Sequence, residues 1–324
     1  MKKLALALAI ATAPFVATVA QADDGKPQVY GRINLAFQHV DEADLLSDST
    51  KALDGKTELK SNSSRIGVKG SQKINDNVSA IYQLEFRINP DSKDGGDPDH
   101  MKHRNSFVGF KTNYGTVKFG THDTPLKLIQ DKIDVFGGLD GDIKEVISAN
   151  GENRSQNMLM YTSPSMGGVV VDVAHISTEK TGADNKDDDG ISASVTYSAD
   201  KLFLGVAYDD NVKGQDISTL RASARVDVGA LQLGAIFEET DNNGAKEDGW
   251  MVSAAYKVAA KTSLKAQYGQ SDQKYTDGET LSLGVDYQYA KSTRLYAFST
   301  TNSGDKGTKN ESASYNGVGI EYRF

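Results

Sequence analysis

Apolar and polar residues alternate with a period of two through most of this chain, and that pattern confines it to extended strands with one apolar and one polar face. In the first such segment Val29, Gly31, Ile33, Leu35 and Phe37 share one face, and Tyr30, Arg32, Asn34 and Gln38 the other. Val78, Ala80, Tyr82, Leu84, Phe86 and Ile88 alternate with Ser79, Ile81, Gln83, Glu85 and Arg87. Leu202, Leu204, Val206 and Tyr208 repeat the pattern, as do Leu281, Leu283, Val285 and Tyr287, and the chain ends on Val318, Ile320, Tyr322 and Phe324. Sixteen segments read this way, at 28–40, 63–72, 78–89, 104–112, 115–121, 155–163, 168–177, 190–198, 201–209, 218–227, 230–239, 248–258, 261–270, 279–289, 292–300 and 312–324.

The connections alternate short and long. Short ones are expected at Ile74–Asn77, Asn113–Tyr114, Pro164–Gly167, Ala199–Asp200, Val228–Gly229, Ala259–Ala260 and Ala290–Lys291. Long ones are expected at Asp41–Asn62, Pro90–His103, His122–Arg154, Ser177–Asp189, Asp210–Ile217, Asp241–Glu247, Ser271–Gly278 and Thr301–Glu311. Pro90, Pro98, Pro125 and Pro164 all fall in connections, as ladder hydrogen bonding requires. A meander with tight turns at one end and long loops at the other is the plan of an outer-membrane barrel. A soluble β-sandwich also alternates. The number of strands, the turn–loop rhythm and the strand-end tyrosines Tyr161, Tyr256 and Tyr289 favour the barrel. Lipid leaves no partner for an edge strand, so the first strand must pair with the sixteenth. The fold expected is therefore all-β: a sixteen-stranded antiparallel transmembrane β-barrel with long extracellular loops.

Lys2 and Lys3, the apolar run Leu4 to Val19 and the small-x-small triplet Ala20-Gln21-Ala22 read as a cleaved signal peptide over 1–22, leaving 23–324 as the barrel. The run is short for a spanning helix, which needs about 20 residues. No later stretch approaches that length, and mean hydropathy is −0.47. The chain has no cysteine, which excludes a disulfide scaffold, cysteine nucleophiles and thiolate metal sites. A net charge of −8 without a basic cluster argues against nucleic acid as a partner.

Asp97, Asp99, His100 and His103 could be drawn as a metal cluster, but they sit in a polar loop without a supporting helix. The run Asp184–Gly190 fails as a calcium loop, because the position that needs a bidentate Glu holds Thr196. No nucleotide or nucleophile-elbow fingerprint appears. We expect no catalysis, no cofactor and no metal.

Several pieces together resemble the Gram-negative trimeric porins, in particular the neisserial and burkholderial branch. They are Val29-Tyr30-Gly31-Arg32, Ser64-Arg65-Ile66-Gly67-Val68-Lys69-Gly70, Ser106-Phe107-Val108-Gly109-Phe110-Lys111, Gly115-Thr116-Val117-Lys118-Phe119-Gly120, Tyr161-Thr162-Ser163-Pro164 and Tyr322-Arg323-Phe324. The resemblance implies that the third long connection, His122–Arg154, folds into the barrel, with Phe136-Gly137-Gly138 as the turn at its tip. It implies an acidic set on that loop, Asp131, Asp134, Asp140, Asp142 and Glu145, facing a basic wall of Arg65, Arg104 and Arg154, with Arg32, Lys69 and Lys118 on polar strand faces. Asp134-Val135 departs from the proline-glutamate pair usual at the enterobacterial tip. The resemblance also makes Phe324 part of a signal read by the barrel-assembly machinery.

The function implied is a water-filled outer-membrane pore for passive diffusion of ions and small hydrophilic solutes. A homotrimer in lipid and lipopolysaccharide is the implied setting. The alternatives are a substrate-selective channel for oligosaccharides or anions, and, from another class, an outer-membrane enzyme or adhesin. The acidic balance of loop and chain suggests a weak preference for cations.

Overall fold

The computed structural model describes residues 25–42, 53–92, 101–179, 189–306 and 309–324. The expected signal peptide, most of the proposed His/Asp cluster and the core of the Asp184–Gly190 run lie outside them. The strands are β1 (Gln28–Glu42), β2 (Leu53–Ser61), β3 (Arg65–Asn75), β4 (Val78–Ile88), β5 (Met101–His103), β6 (Ser106–Thr112), β7 (Gly115–Asp123), β8 (Arg154–Thr162) and β9 (Val169–Ile176). They continue as β10 (Gly190–Ala199), β11 (Leu202–Asp210), β12 (Ile217–Val228), β13 (Leu231–Asn242), β14 (Ala245–Ala259), β15 (Thr262–Ser271), β16 (Thr276–Ala290), β17 (Thr293–Lys306) and β18 (Lys309–Arg323). All eighteen segments form one sheet.

They make sixteen staves, because β2 and β3 are two parts of one stave against β1, and β5 and β6 two parts of one against β4. Every pairing is antiparallel between chain neighbours, and β1 closes on β18 from Arg32 opposite Arg323 to Glu42 opposite Ala313. Closure satisfies the backbone groups that lipid could not. The seam finishes with Gly31 N–H donating to Phe324 O at 2.9 Å and Phe324 N–H to Gly31 O at 3.2 Å.

The alternation resolves into an outward apolar face and an inward polar one. Leu204, Val206, Leu233, Leu281, Leu283, Val318 and Ile320 are exposed outward, and their neighbours Asp209, Ser253, Ser282 and Glu321 are buried inside. Two aromatic girdles bound the apolar band, as outer-membrane barrels require. Tyr114, Tyr161, Tyr197, Tyr256, Tyr289, Tyr322 and Phe324 stand at the short-turn rim, and Phe37, Tyr208 and Phe237 toward the other.

The far rim differs from expectation in one respect. Several long connections are largely strand. The expected loop at Asp241–Glu247 reduces to a two-residue hairpin at Asn243 (φ 53) and Gly244 (φ 89). Residues 53–61 of the expected first loop, and most of 301–311, also join the ladder. Polarity alone cannot mark where a strand ends beyond the lipid band, because an antiparallel ladder runs equally well through charged pairs such as Asp241 and Lys246. The Asn-Gly pair, which tolerates positive φ at both positions, was the available sign of the tight turn.

Between β7 and β8 the chain leaves the wall for residues 124–153 and carries two short helices, α1 (Pro125–Leu128) and α2 (Ile143–Val146). Leu126, Ile129, Ile133, Phe136, Ile143, Val146 and Ile147 are each at most 1% exposed. That degree of burial is possible only because this segment lies inside the barrel, against the inner faces of β10 to β17.

Candidate functional site

The inward loop follows a defined path around the inner wall. Thr124 caps α1, and Leu126 N–H donates to Ser192 Oγ on β10 at 3.2 Å. Ser223 on β12 donates to Ile129 O, and Ser253 on β14 to Ile133 O. On β15, Gln267 accepts from Val135 N–H at 3.0 Å and donates to Gly141 O at 2.7 Å, while Lys265 Nζ donates to Val135 O at 3.0 Å. Phe136 lies under that ammonium, with Nζ 4.8 Å from the ring centre. At the tip, a Cβ on Gly138 (φ 86) would stand 3.1 Å from Ser63 Oγ and 3.5 Å from Arg32 Nη2. The tip therefore reaches the break between β2 and β3.

The return leg packs Val146 and Ile147 on the wall and ends in a buried ionic knot. Arg221 Nε donates to Glu238 Oε2 and Nη1 to Glu152 Oε1, at 2.7 and 2.8 Å, and Ser148 Oγ donates to Glu238 Oε1 at 2.7 Å. With the loop seated on the β10–β17 side, the open lumen is bounded by the loop and by the wall from β1 to β8.

That free wall is basic. Arg323 stands opposite Arg32, Arg32 opposite Arg65, Arg65 opposite Arg87 and Arg87 opposite Lys102, giving one cationic row across β18, β1, β3, β4 and β5. Like charges directly opposite one another destabilise a sheet, so such a row departs from what packing favours and points to use. Two buried carboxylates hold it together. Glu85 accepts from Arg104 Nε at 2.7 Å, lies 3.5 Å from Arg65 Nε and accepts from Tyr30 OH at 3.1 Å. Glu321 meets Arg32 at 3.5 Å, Arg294 at 3.1 Å and Arg323 at 2.6 Å. The stave break at Asn62–Ser64, with Ser63 at φ 58, frees carbonyls that take Arg32 Nη2 at 3.3 and 3.0 Å. Arg87 carries no ion pair among the described residues.

Of the other basic residues expected at the narrowing, Arg154 pairs with Asp123 at 2.8 Å and donates to Asn105 Oδ1 at 2.8 Å. Lys69 lies over the Tyr30 ring at 5.2 Å. Lys118 Nζ lies 3.1 Å from His122 Nε2 and over the Phe107 ring.

The five loop acids are all engaged locally, and none of them pairs with Arg65, Arg104 or Arg154. Asp131 pairs with Arg225, and Asp140 with Lys60. Asp134 accepts from Gln130 Nε2 at 2.9 Å and from the Phe136 and Ile143 amides at 2.9 and 3.0 Å. Desolvation within the folded loop, helped by the charge of Asp142, raises the pKa of the Asp134 carboxyl, while the two amide donors act in the opposite direction. Asp142 caps α2 and accepts from Gly138 N–H at 2.6 Å. Glu145 pairs with Lys144 at 2.9 Å.

Strand parity was the signal that could have found Glu85, Arg87, Glu321 and Arg323, since each shares the inward face with residues already singled out. Nothing in the sequence marked Ser223, Ser253 or Gln267, because a small polar residue facing inward is ordinary until the loop's path is known. Among the described residues no group of three or more His, Cys, Asp or Glu side chains is arranged to hold a metal ion.

Comparison with known proteins places these observations. The sequence matches the profile of the Gram-negative porin family over residues 5–307. It is 22% identical to an outer membrane porin protein of Bordetella pertussis over 322 residues, covering 81% of this chain and 83% of the relative. The fold is similar to that of an anion-selective porin from Comamonas acidovorans, with a TM-score of 0.73 at 20% identity over 93% of this chain and all of the other. It is also similar to the trimer form of OmpT, an outer membrane protein of Vibrio cholerae, with a TM-score of 0.65 at 21% identity over 93% and 100% of the two chains.

Proposed function

The chain belongs to the Gram-negative porin family, and on that premise we propose that its barrel is narrowed by the inward loop and carries an inner field that favours anions. It is an outer-membrane channel for the passive diffusion of small hydrophilic solutes and ions. Solutes pass unaltered, with no catalytic step.

One observation carries the sign of the preference. The free wall presents a registered row of four arginines and a lysine braced by two carboxylates, Glu85 and Glu321, and none of the five loop acids pairs with an arginine of that row. The Debye length at physiological salt is about 8 Å, so the charges bordering the narrowing govern ion preference and those of the outer loops are largely screened. The net acidity of the chain, which suggested cations, is therefore a poor guide here. The likeness to an anion-selective porin supports the same sign. An aromatic slide for oligosaccharides is not favoured, because the inner rings Tyr296, Phe298 and Tyr315 are packed beneath the loop tip at 4–6% exposure, and the inward rings Tyr30 and Phe107 lie apart from them under Lys69 and Lys118.

The narrowing in this reading comprises Arg32, Arg65, Arg87, Arg104 and Arg323 on the wall and the loop from Asp131 to Glu145 opposite them. A homotrimer in lipid and lipopolysaccharide is the assembly proposed, supported by the trimer form of a structural relative. Phe324 is the proposed recognition residue for the assembly machinery, and residues 1–22 the proposed signal peptide.

Reversal potentials in a salt gradient across reconstituted pores test the reading. Replacing Arg87→Ser together with Arg323→Ser should move the potential toward cations while the unheated protein keeps its barrel migration in gels. An unchanged potential in a folded double variant would remove the basic row from the conduction path.

A further inference from the structure

Three isoleucines of the inward loop meet the barrel wall in one repeated arrangement, and we propose that this arrangement sets the free width of the pore. The inference rests on the loop-narrowed reading above.

Across neighbouring strands Gly205 stands opposite Ser223, Gly234 opposite Ser253 and Gly249 opposite Ser271. Each serine donates its hydroxyl to the carbonyl of one isoleucine: Ser223 to Ile129 at 2.6 Å, Ser253 to Ile133 at 2.5 Å and Ser271 to Ile147 at 2.7 Å. The glycine of each pair receives the same residue. A Cβ on Gly205 would lie 3.0 Å from Ile129 Cβ and 3.1 Å from Ser223 Oγ, one on Gly234 2.7 Å from Ser253 Oγ and 2.8 Å from Ile133 Cγ2, and one on Gly249 2.5 Å from Ser271 Oγ and 2.8 Å from Ile147 O, so an added methyl meets both the serine that holds the isoleucine and the isoleucine itself. The Ile147 side chain is received by a further glycine, where a Cβ on Gly269 would lie 2.8 Å from its Cδ1. All three isoleucines are fully buried.

Each Gly–Ser pair thus does two things to one loop residue. The glycine lets it approach the backbone of the wall, and the serine fixes its height by a hydrogen bond to an otherwise unpaired carbonyl. Ionic contacts hold the loop beside and beyond these pairs: Asp131 pairs with Arg225 between Ile129 and Ile133. Asp140 with Lys60 lies near the tip, and Arg221 with Glu238 and Glu152 lies at the return. Arg225, Gln232, Lys265 and Gln267 tether the stretch between those points through polar contacts, and at the isoleucines themselves the closest approach to the wall is limited by what occupies the glycine positions.

When that distance changes, the loop has to move. The wall is a hydrogen-bonded ladder with strands about 4.8 Å apart, and lipid allows none of those bonds to be given up. The loop is held over the same span by single side-chain contacts. A methyl group added at Gly234 or Gly205 therefore displaces the isoleucine into the lumen and narrows the free section.

The test is single-channel conductance in planar bilayers, with gel migration before and after heating as the control for a folded barrel. Gly234→Ala should lower conductance, and Gly234→Val should lower it further. Adding Ile133→Ala to Gly234→Ala should restore conductance, because the shortened side chain gives back the space the methyl took. Gly205→Ala, acting on Ile129, should reproduce the loss and serves if the first variant does not fold. The Arg87→Ser, Arg323→Ser pore is run alongside. If it shifts the reversal potential while folded glycine variants conduct like the parent, or if Ile133→Ala fails to restore the loss, the width is not set by the Gly–Ser pairs although the narrowing stands. If the arginine variant is silent as well, the loop-narrowed reading falls and takes this inference with it.

Discussion

Arg221 and Glu238 lie in the inner wall with no exposed side-chain surface, and neither can be there without the other. Removing one partner of a buried ion pair leaves an uncompensated charge and costs about 3–5 kcal/mol. Here the cost falls on the loop as well as the strands, because Ser148 and Glu152 at its return leg complete the same network. Arg221→Met, which keeps the volume and strands Glu238, is expected to lower the temperature at which the folded gel band is lost and to raise current noise in single pores. Equal noise and equal thermal stability would show that the knot is not what anchors the return leg. At this scale the sequence was partly legible. Inward parity identified Arg32, Lys69 and Lys118 on the polar faces, and the same rule reaches Arg87 and Arg323. It could not say which carboxylate each arginine meets, since Glu85 meets Arg65 and Arg104 only once three neighbouring staves are in register, and Glu321 meets Arg32 only across the closing seam.

Among the elements, the seam between β1 and β18 bears the largest demand, because the barrel exists only if the two ends of the chain find each other. Phe324 completes the seam through two backbone bonds, and its ring covers Gly31, where an added Cβ would collide with Phe324 Cζ. Tyr322 stacks beside it at 6.2 Å. Deleting Phe324 removes the ring and both bonds at the membrane interface. The protein should then be depleted from outer-membrane fractions, and undiminished levels in those fractions would contradict a role in assembly. Strand existence and order were readable from alternation and turn spacing, whereas strand ends at the far rim were not. Alternation requires an apolar outer face only within lipid, so β13, β14, β16 and β17 could extend through polar residues without leaving a sign in the pattern. The inner loop shows the opposite case. Its length and place announced that it was unusual, but its isoleucines at 129, 133, 143 and 147 become intelligible only against the glycines and serines of a wall formed by residues 190–302.

In the whole molecule a closed barrel surrounds a loop that follows the inner wall and rests its tip at the break between β2 and β3. That position can be measured directly, because the chain has no cysteine of its own. A Cβ on Gly138 would lie 3.5 Å from Ser63 Cβ, within the range of about 3.5–4.5 Å that a disulfide spans. Ser63→Cys with Gly138→Cys should therefore form an intrachain disulfide in the folded, membrane-inserted protein. The oxidised pore should conduct close to the reduced one, since the bond holds the tip where it already lies. A folded, conducting double variant that resists oxidation, or whose conductance changes sharply once the bond forms, would contradict a loop seated with its tip at that break.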